Sequence, residues 1–165
     1  MSRILVSLSV LLLALPALAT DITRDAVVAS MNAQRAQQGL PPLRIDDRLC
    51  AAAGDRMREM EEMAYWDHVS PEGRSPFAWL KPRGYDFRYA GENLAKGFET
   101  AEVLVESWME SRGHRENIMS PLYNDCGIAI IDGSTLGRAT GKSVVVLFGR
   151  AATTERPSAS GQSPR

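Results

Sequence analysis

The sequence predicts an α+β fold in which helices flank a small sheet, and three observations point that way. Three stretches, near residues 21–38, 47–63 and 100–110, place apolar residues at helical spacing. Two late runs, Cys126 to Ile131 and Ser143 to Gly149, are β-branched or bulky and bounded by turn residues, as core strands are. Between the helical stretches lies Gly84-Tyr85-Asp86-Phe87-Arg88-Tyr89, whose aromatic residues alternate as in an extended segment. Amphipathic helices and strands together must bury their apolar faces in a layered arrangement.

The first helix is expected over Asp21 to Gln38. Ile22, Ala26, Ala29 and Ala33 run down one side, widened by Val27, Val28 and Met31, with Asp21 or Thr23 as cap and Gly39 as stop. Pro41 and Pro42 then forbid continuation, because each lacks a backbone donor and restricts the residue before it. A second helix, Asp47 to Met63, carries a core stripe of Leu49, Ala52, Ala53, Met57, Met60 and Met63, with Arg56, Arg58, Glu59, Glu61 and Glu62 largely elsewhere. Tyr65 to Pro82 reads as a loop punctuated by Pro71, Gly73 and Pro76, with one short helix through Phe77 to Leu80. Thr100 caps the third helix, and Glu102 complements its dipole. Its buried face is Ala101, Leu104, Val105 and Trp108, while Glu99, Glu102, Glu106 and Glu110 form a solvated one. A stop at Gly113 would place His114 just past the helix end, in the left-handed turn that glycine permits. Asp132 to Lys142, rich in Gly, Ser and Thr, is the hairpin loop between the late strands.

The two ends of the chain read differently. Ser2-Arg3, the apolar run Ile4 to Leu15 and the small-x-small Ala17-Leu18-Ala19 describe a cleaved secretory leader, residues 1–19. That run is too short to span a bilayer, which needs ~20 apolar residues, so no transmembrane segment is expected. No cysteine follows the cleavage site, so no lipid anchor is expected there, and the domain at 20–150 should be secreted or periplasmic. Residues 151–165 lack large apolar side chains and should form a disordered tail. Without Arg3 the chain carries 18 basic and 20 acidic groups, which gives no electrostatic case for nucleic acid or an anionic membrane. Cys50 and Cys126 form an even pair in an oxidising compartment, and a disulfide between them is expected. It would close a loop of about 76 residues, worth ~4 kcal/mol by chain entropy. Two buried free thiols are the alternative.

Chemistry concentrates around the chain's two histidines. His114 lies in Ser111-Arg112-Gly113-His114-Arg115-Glu116-Asn117, the densest polar cluster, and His68 in the turn-rich Asp67-His68-Val69-Ser70-Pro71. Neither Ser70 nor Ser111 sits in a Gly-x-Ser-x-Gly elbow, which argues against a serine hydrolase.

Asp67-His68-Val69-Ser70-Pro71, then Gly91-Glu92-Asn93-Leu94-Ala95, then Trp108 followed by Gly113-His114-Arg115-Glu116-Asn117-Ile118-Met119 occur in an order that resembles bacterial CAP-superfamily domains. These SCP-like domains are named for cysteine-rich secretory proteins, antigen 5 and pathogenesis-related proteins of plants. Asn32-Ala33-Gln34-Arg35 and Pro42-Leu43 are similar to the family's opening, so the likeness spans Ala26 to Gly149. It implies a three-layer α-β-α sandwich with a small central antiparallel sheet and an open cleft lined by His68, Glu92 and His114, with Asn93 and Ser111 beside them. In many eukaryotic members Ser111's position holds a second glutamate. Glu110, one residue away, is rotated by ~100° on a helix and cannot replace it. The family's late cysteine-rich signature is replaced by Val144 to Gly149, as in short bacterial versions.

Two imidazoles and a carboxylate (His68, His114 and Glu92) are a competent set for Zn²⁺ or another divalent cation. The expected function is a secreted, non-enzymatic domain that binds a cation, lipid or other small molecule in this cleft. The alternatives are a metal-dependent hydrolase of peptides or cell-wall polymers with Glu92 as base, and an envelope protein-interaction module.

Overall fold

The computed structural model describes residues 21–133 and 141–152, so the expected leader, most of the hairpin loop and most of the tail lie outside the described residues. Helix α1 (Arg24–Gln37) starts where the Thr23 hydroxyl accepts from the Ala26 amide at 3.1 Å. Its buried side is Val27, Met31 and Arg35, one step round from the expected alanine stripe; Ala29 and Ala33 are exposed. Strand β1 (Arg44–Ile45) follows the prolines, and the Asn32 side chain bonds both backbone groups of Leu43 just before it, at 2.8 and 3.0 Å. Helix α2 (Asp47–Glu62) is capped by Asp46 and buries the expected stripe from Leu49 to Met60.

The segment from Ser75 to Gly84 is a series of turns closed by i→i−3 bonds, such as Leu80 N–H to the Phe77 carbonyl at 3.2 Å, and the short helix expected there does not form. Strand β2 (Phe87–Phe98) is longer than the expected extended segment and takes in Gly91 to Ala95. Helix α3 (Ala101–Glu110) has the expected cap and buried face. The chain does not stop at Gly113. Ser111 adopts extended backbone (φ −87°, ψ 122°) and a further helix, α4 (Arg112–Ile118), begins at once, so His114 is helical. Strands β3 (Asp125–Asp132) and β4 (Lys142–Ala151) complete the sheet.

The sheet order is β1-β3-β4-β2. β4 is antiparallel to both neighbours, Val146 standing between Asn93 and Ile128, and the short β1 adds a parallel edge to β3. Alternation along β4 makes the three layers. Val144, Val146 and Phe148 join Val27, Met31, Leu104, Trp108 and Ile118 on one face. Val145 and Leu147 join Leu49, Met57 and Met60 of α2 on the other.

The expected disulfide does not form: Cys50 and Cys126 are both free and buried. Cys126 belongs to the core beneath α1 and α3, whereas Cys50 rides on α2, its sulfur 3.5 Å from the Ile128 amide of β3. Burial lifts the Cys126 thiol to about 12, leaving it a small apolar side chain. At the crossing point, a Cβ on Gly127 would lie 2.0 Å from the Leu49 carbonyl carbon and 2.2 Å from the Cys50 nitrogen. Only glycine allows α2 to lie this close to β3.

Candidate functional site

The site is built along β2, the sheet edge opposite β1. Three successive outward carbonyls of this strand take side-chain donors: Ala90 from the Tyr123 hydroxyl (3.1 Å), Glu92 from Asn117 Nδ2 (3.0 Å) and Leu94 from Trp108 Nε1 (3.1 Å). These bonds bring α3 and α4 against the strand. Gly91 leaves room for them, since a Cβ there would meet the Tyr123 hydroxyl at 2.6 Å and Asn117 Oδ1 at 2.8 Å.

Glu92 points to the α2 side and is almost wholly buried, its side chain 2% exposed. One oxygen, Oε1, lies 2.7 Å from Nδ1 of His68, and Oε2 accepts from Nε of Arg56 at 3.1 Å. Arg56 itself is fully buried on α2 and bonds Glu59, the Tyr65 hydroxyl and the Asp67 carbonyl as well. Tyr65 donates its hydroxyl to Glu59 at 2.7 Å, and burial followed by that bond raises it to about 12. Arg74 closes the cluster at 3.0 Å from Glu59 Oε1. Ser70 uses its hydroxyl to accept from the Arg74 amide at 3.0 Å, a loop-holding role.

His114 is presented from α4, half-buried, its ring 6.2 Å from that of Trp108. Asn93, fully buried, donates to the His114 carbonyl at 3.1 Å and accepts from Asn117 at 2.9 Å. It therefore anchors α4. Ser111 is exposed at the α3–α4 junction and makes no capping bond.

The two histidines differ in electrostatics. The hydrogen bond that His68 donates to Glu92, only partly offset by burial, raises its pKa above the ordinary imidazole value. Burial, and then the charge of His68, push His114 below it. Proton titration followed by NMR is expected to give a midpoint above about 6.5 for His68 and below it for His114. Glu92→Gln should lower the His68 midpoint; the reverse order of midpoints would contradict the pairing. The stability that His68 contributes is present in full below its unfolded pKa and fades as pH rises through the raised folded one. For His114 the contribution is present above the unfolded pKa and fades as pH falls through the lowered folded one.

Among the described residues no group of three His, Cys, Asp or Glu side chains is arranged to hold a metal ion. Glu92 uses its two oxygens on Arg56 and His68, so it stands behind His68 in the way that carboxylates orient metal-binding imidazoles. Arg56 and Glu59 were not legible as site residues, because a charged pair on a helix reads as a solvated face.

Comparison with known proteins bears on the fold and the family. The uncharacterized protein YkwD of Bacillus subtilis (strain 168) is 41% identical over 110 residues, 67% of this chain and 43% of that protein, so the chain spans less than half of that relative's length. An extracellular protein containing a SCP domain from Bacillus anthracis str. Ames shares the fold with a TM-score of 0.66 at 24% identity, over 76% of this chain and 39% of that one. An outer surface protein from Borrelia burgdorferi does so with a TM-score of 0.67 at 22% identity, over 82% of this chain and 100% of that one. Residues 28–148 match the cysteine-rich secretory protein family, and with that match over most of its length the chain belongs to the CAP family.

Proposed function

We propose that this CAP domain is exported and binds a divalent cation such as Zn²⁺ through His68 and His114, without catalysing a reaction. The observation that carries the reading is the 2.7 Å contact between His68 Nδ1 and Glu92. With Nδ1 committed to a buried carboxylate, the other ring nitrogen is the one left for a ligand, and His114 is tied through its carbonyl to Asn93, the residue next to Glu92. Two nitrogen ligands leave the remaining positions of a cation open to water or to atoms of a further small molecule. Export is supported by the leader-like residues 1–19, by the extracellular and outer-surface descriptions of the two solved relatives, and by the lack, among the described residues, of any helix long and apolar enough to cross a membrane.

The hydrolase reading with Glu92 as base is disfavoured by geometry. A general base must reach the proton it removes, whereas Glu92 is buried and both of its oxygens are engaged. Calorimetric titration with Zn²⁺ tests the cation reading. Affinity is expected to fall at least about tenfold, or ~1.4 kcal/mol, in the His68→Ala, His114→Ala double variant with its circular dichroism unchanged. Equal affinity in the two proteins would remove the cation from the site.

A further inference from the structure

We propose that Arg56 is the positioning residue of this site, fixing which nitrogen His68 presents outward. The proposal rests on reading His68 as the imidazole that faces the ligand. Arg56 sits in the middle of α2 and is fully buried, and its guanidinium reaches three separate segments of the chain. Nε donates to Glu92 Oε2 on β2 at 3.1 Å. Nη1 donates to Glu59 Oε2, one turn along the same helix, at 3.0 Å, and to the Tyr65 hydroxyl. Nη2 donates to the carbonyl of Asp67, the residue immediately before His68.

One side chain thus holds both supports of His68: the carboxylate that bonds its ring and the backbone that carries it. A planar fork with five donors can do this at once, and a lysine ammonium on a flexible stem cannot reproduce the geometry. Burial would by itself lower the pKa of Arg56, but the charge and hydrogen bond of Glu92 outweigh it, so the guanidinium stays charged. That charge faces Glu92 directly across the 3.1 Å bond in the interior. With Oε2 locked to Arg56, the carboxylate offers Oε1 as an acceptor, and a neutral His68 meets it by keeping its proton on Nδ1. The lone pair then lies on Nε2. Free imidazoles favour the opposite tautomer, so the bond reverses an intrinsic preference.

The tautomer is read directly from the ring ¹⁵N shifts of the full chain at alkaline pH, where both imidazoles are neutral, with His114 as internal reference. His68 is expected as the Nδ1–H form in wild type. In Arg56→Gln the Nε2–H form should dominate, and in Arg56→Lys the Nδ1–H population should drop without vanishing, His114 being unchanged in both. Zn²⁺ affinity should fall at least about tenfold in Arg56→Gln. An Nε2–H His68 in wild type overturns the proposal without any variant. So does an Nδ1–H population equal to wild type in a folded variant, and Arg56→Lys supplies that test if Arg56→Gln does not fold. Wild-type protein with the Nδ1–H form but no Zn²⁺ binding would sink the cation reading and leave the role of Arg56 standing.

Discussion

Arg35→Ala is expected to destabilise the domain by about 4 kcal/mol, the largest effect of any single change considered, and thermal or urea unfolding would measure it. Arg35 is 1% exposed, and its guanidinium serves backbone carbonyls from two separate parts of the chain. Nε donates to Pro41 at 2.9 Å, Nη1 to Ile118 at 2.7 Å and Ser120 at 2.9 Å, and Nη2 to Tyr123 at 3.4 Å. Ile118 is the last residue of α4, so the positive charge also meets the negative end of that helix. Alanine would leave several acceptors without a donor, each worth ~1–3 kcal/mol when buried, less whatever water recovers by entering the gap. Arg35→Met separates the two contributions: it restores most of the volume but none of the donors, and should still cost ~2 kcal/mol. Full stability in Arg35→Met would show that packing, not hydrogen bonding, is what Arg35 supplies. Because α4 carries His114, the alanine variant should also broaden the His114 ring signals.

Gly127→Ala is expected to cost about 3 kcal/mol, at the upper end for overpacking. The added carbon would sit 2.0 Å from a backbone atom of Leu49, so no rotamer change relieves it and α2 must lift from the sheet. That movement would loosen the layer holding Leu49, Met57 and Met60. Since Arg56 lies on the same helix, it would disturb the support of His68 too. A midpoint of unfolding equal to that of wild type would mean that the helix and strand are less closely locked than they stand here.

Much of this architecture could be read from local pattern. The Asp47 start and the Leu49-to-Met60 stripe of α2, the Thr100 cap and Trp108 face of α3, and the two late strands each announce themselves within a dozen residues. The order of motifs pointed to His68, Glu92 and His114, and the structure joins His68 to Glu92 directly. What was not legible depends on partners far along the chain. Arg56 reads as a residue off the core stripe and Arg35 only as part of an opening motif, because nothing local reveals that carboxylates and carbonyls await them in the interior. The α1 stripe was misplaced by one position, since alanines weigh equally on an exposed or a buried face and the true stripe ends in an arginine. β1 is too short to show a period. Gly113 looked like a stop, but Ser111 makes the bend and the glycine is simply helical. The cysteine pairing failed because an even count says nothing about where the fold places each thiol.

The side chains seated on Ala90, Glu92 and Leu94 have a consequence for how these molecules behave in a crowd. A twelve-residue strand at the border of a sheet would ordinarily offer an incoming chain a ladder to zip onto, the first step toward fibrous clumping. Here every second rung along the middle of that border is already taken by a phenol, an amide or an indole. The same groups that bring α3 and α4 against this strand thereby leave an incoming chain few free acceptors to pair with.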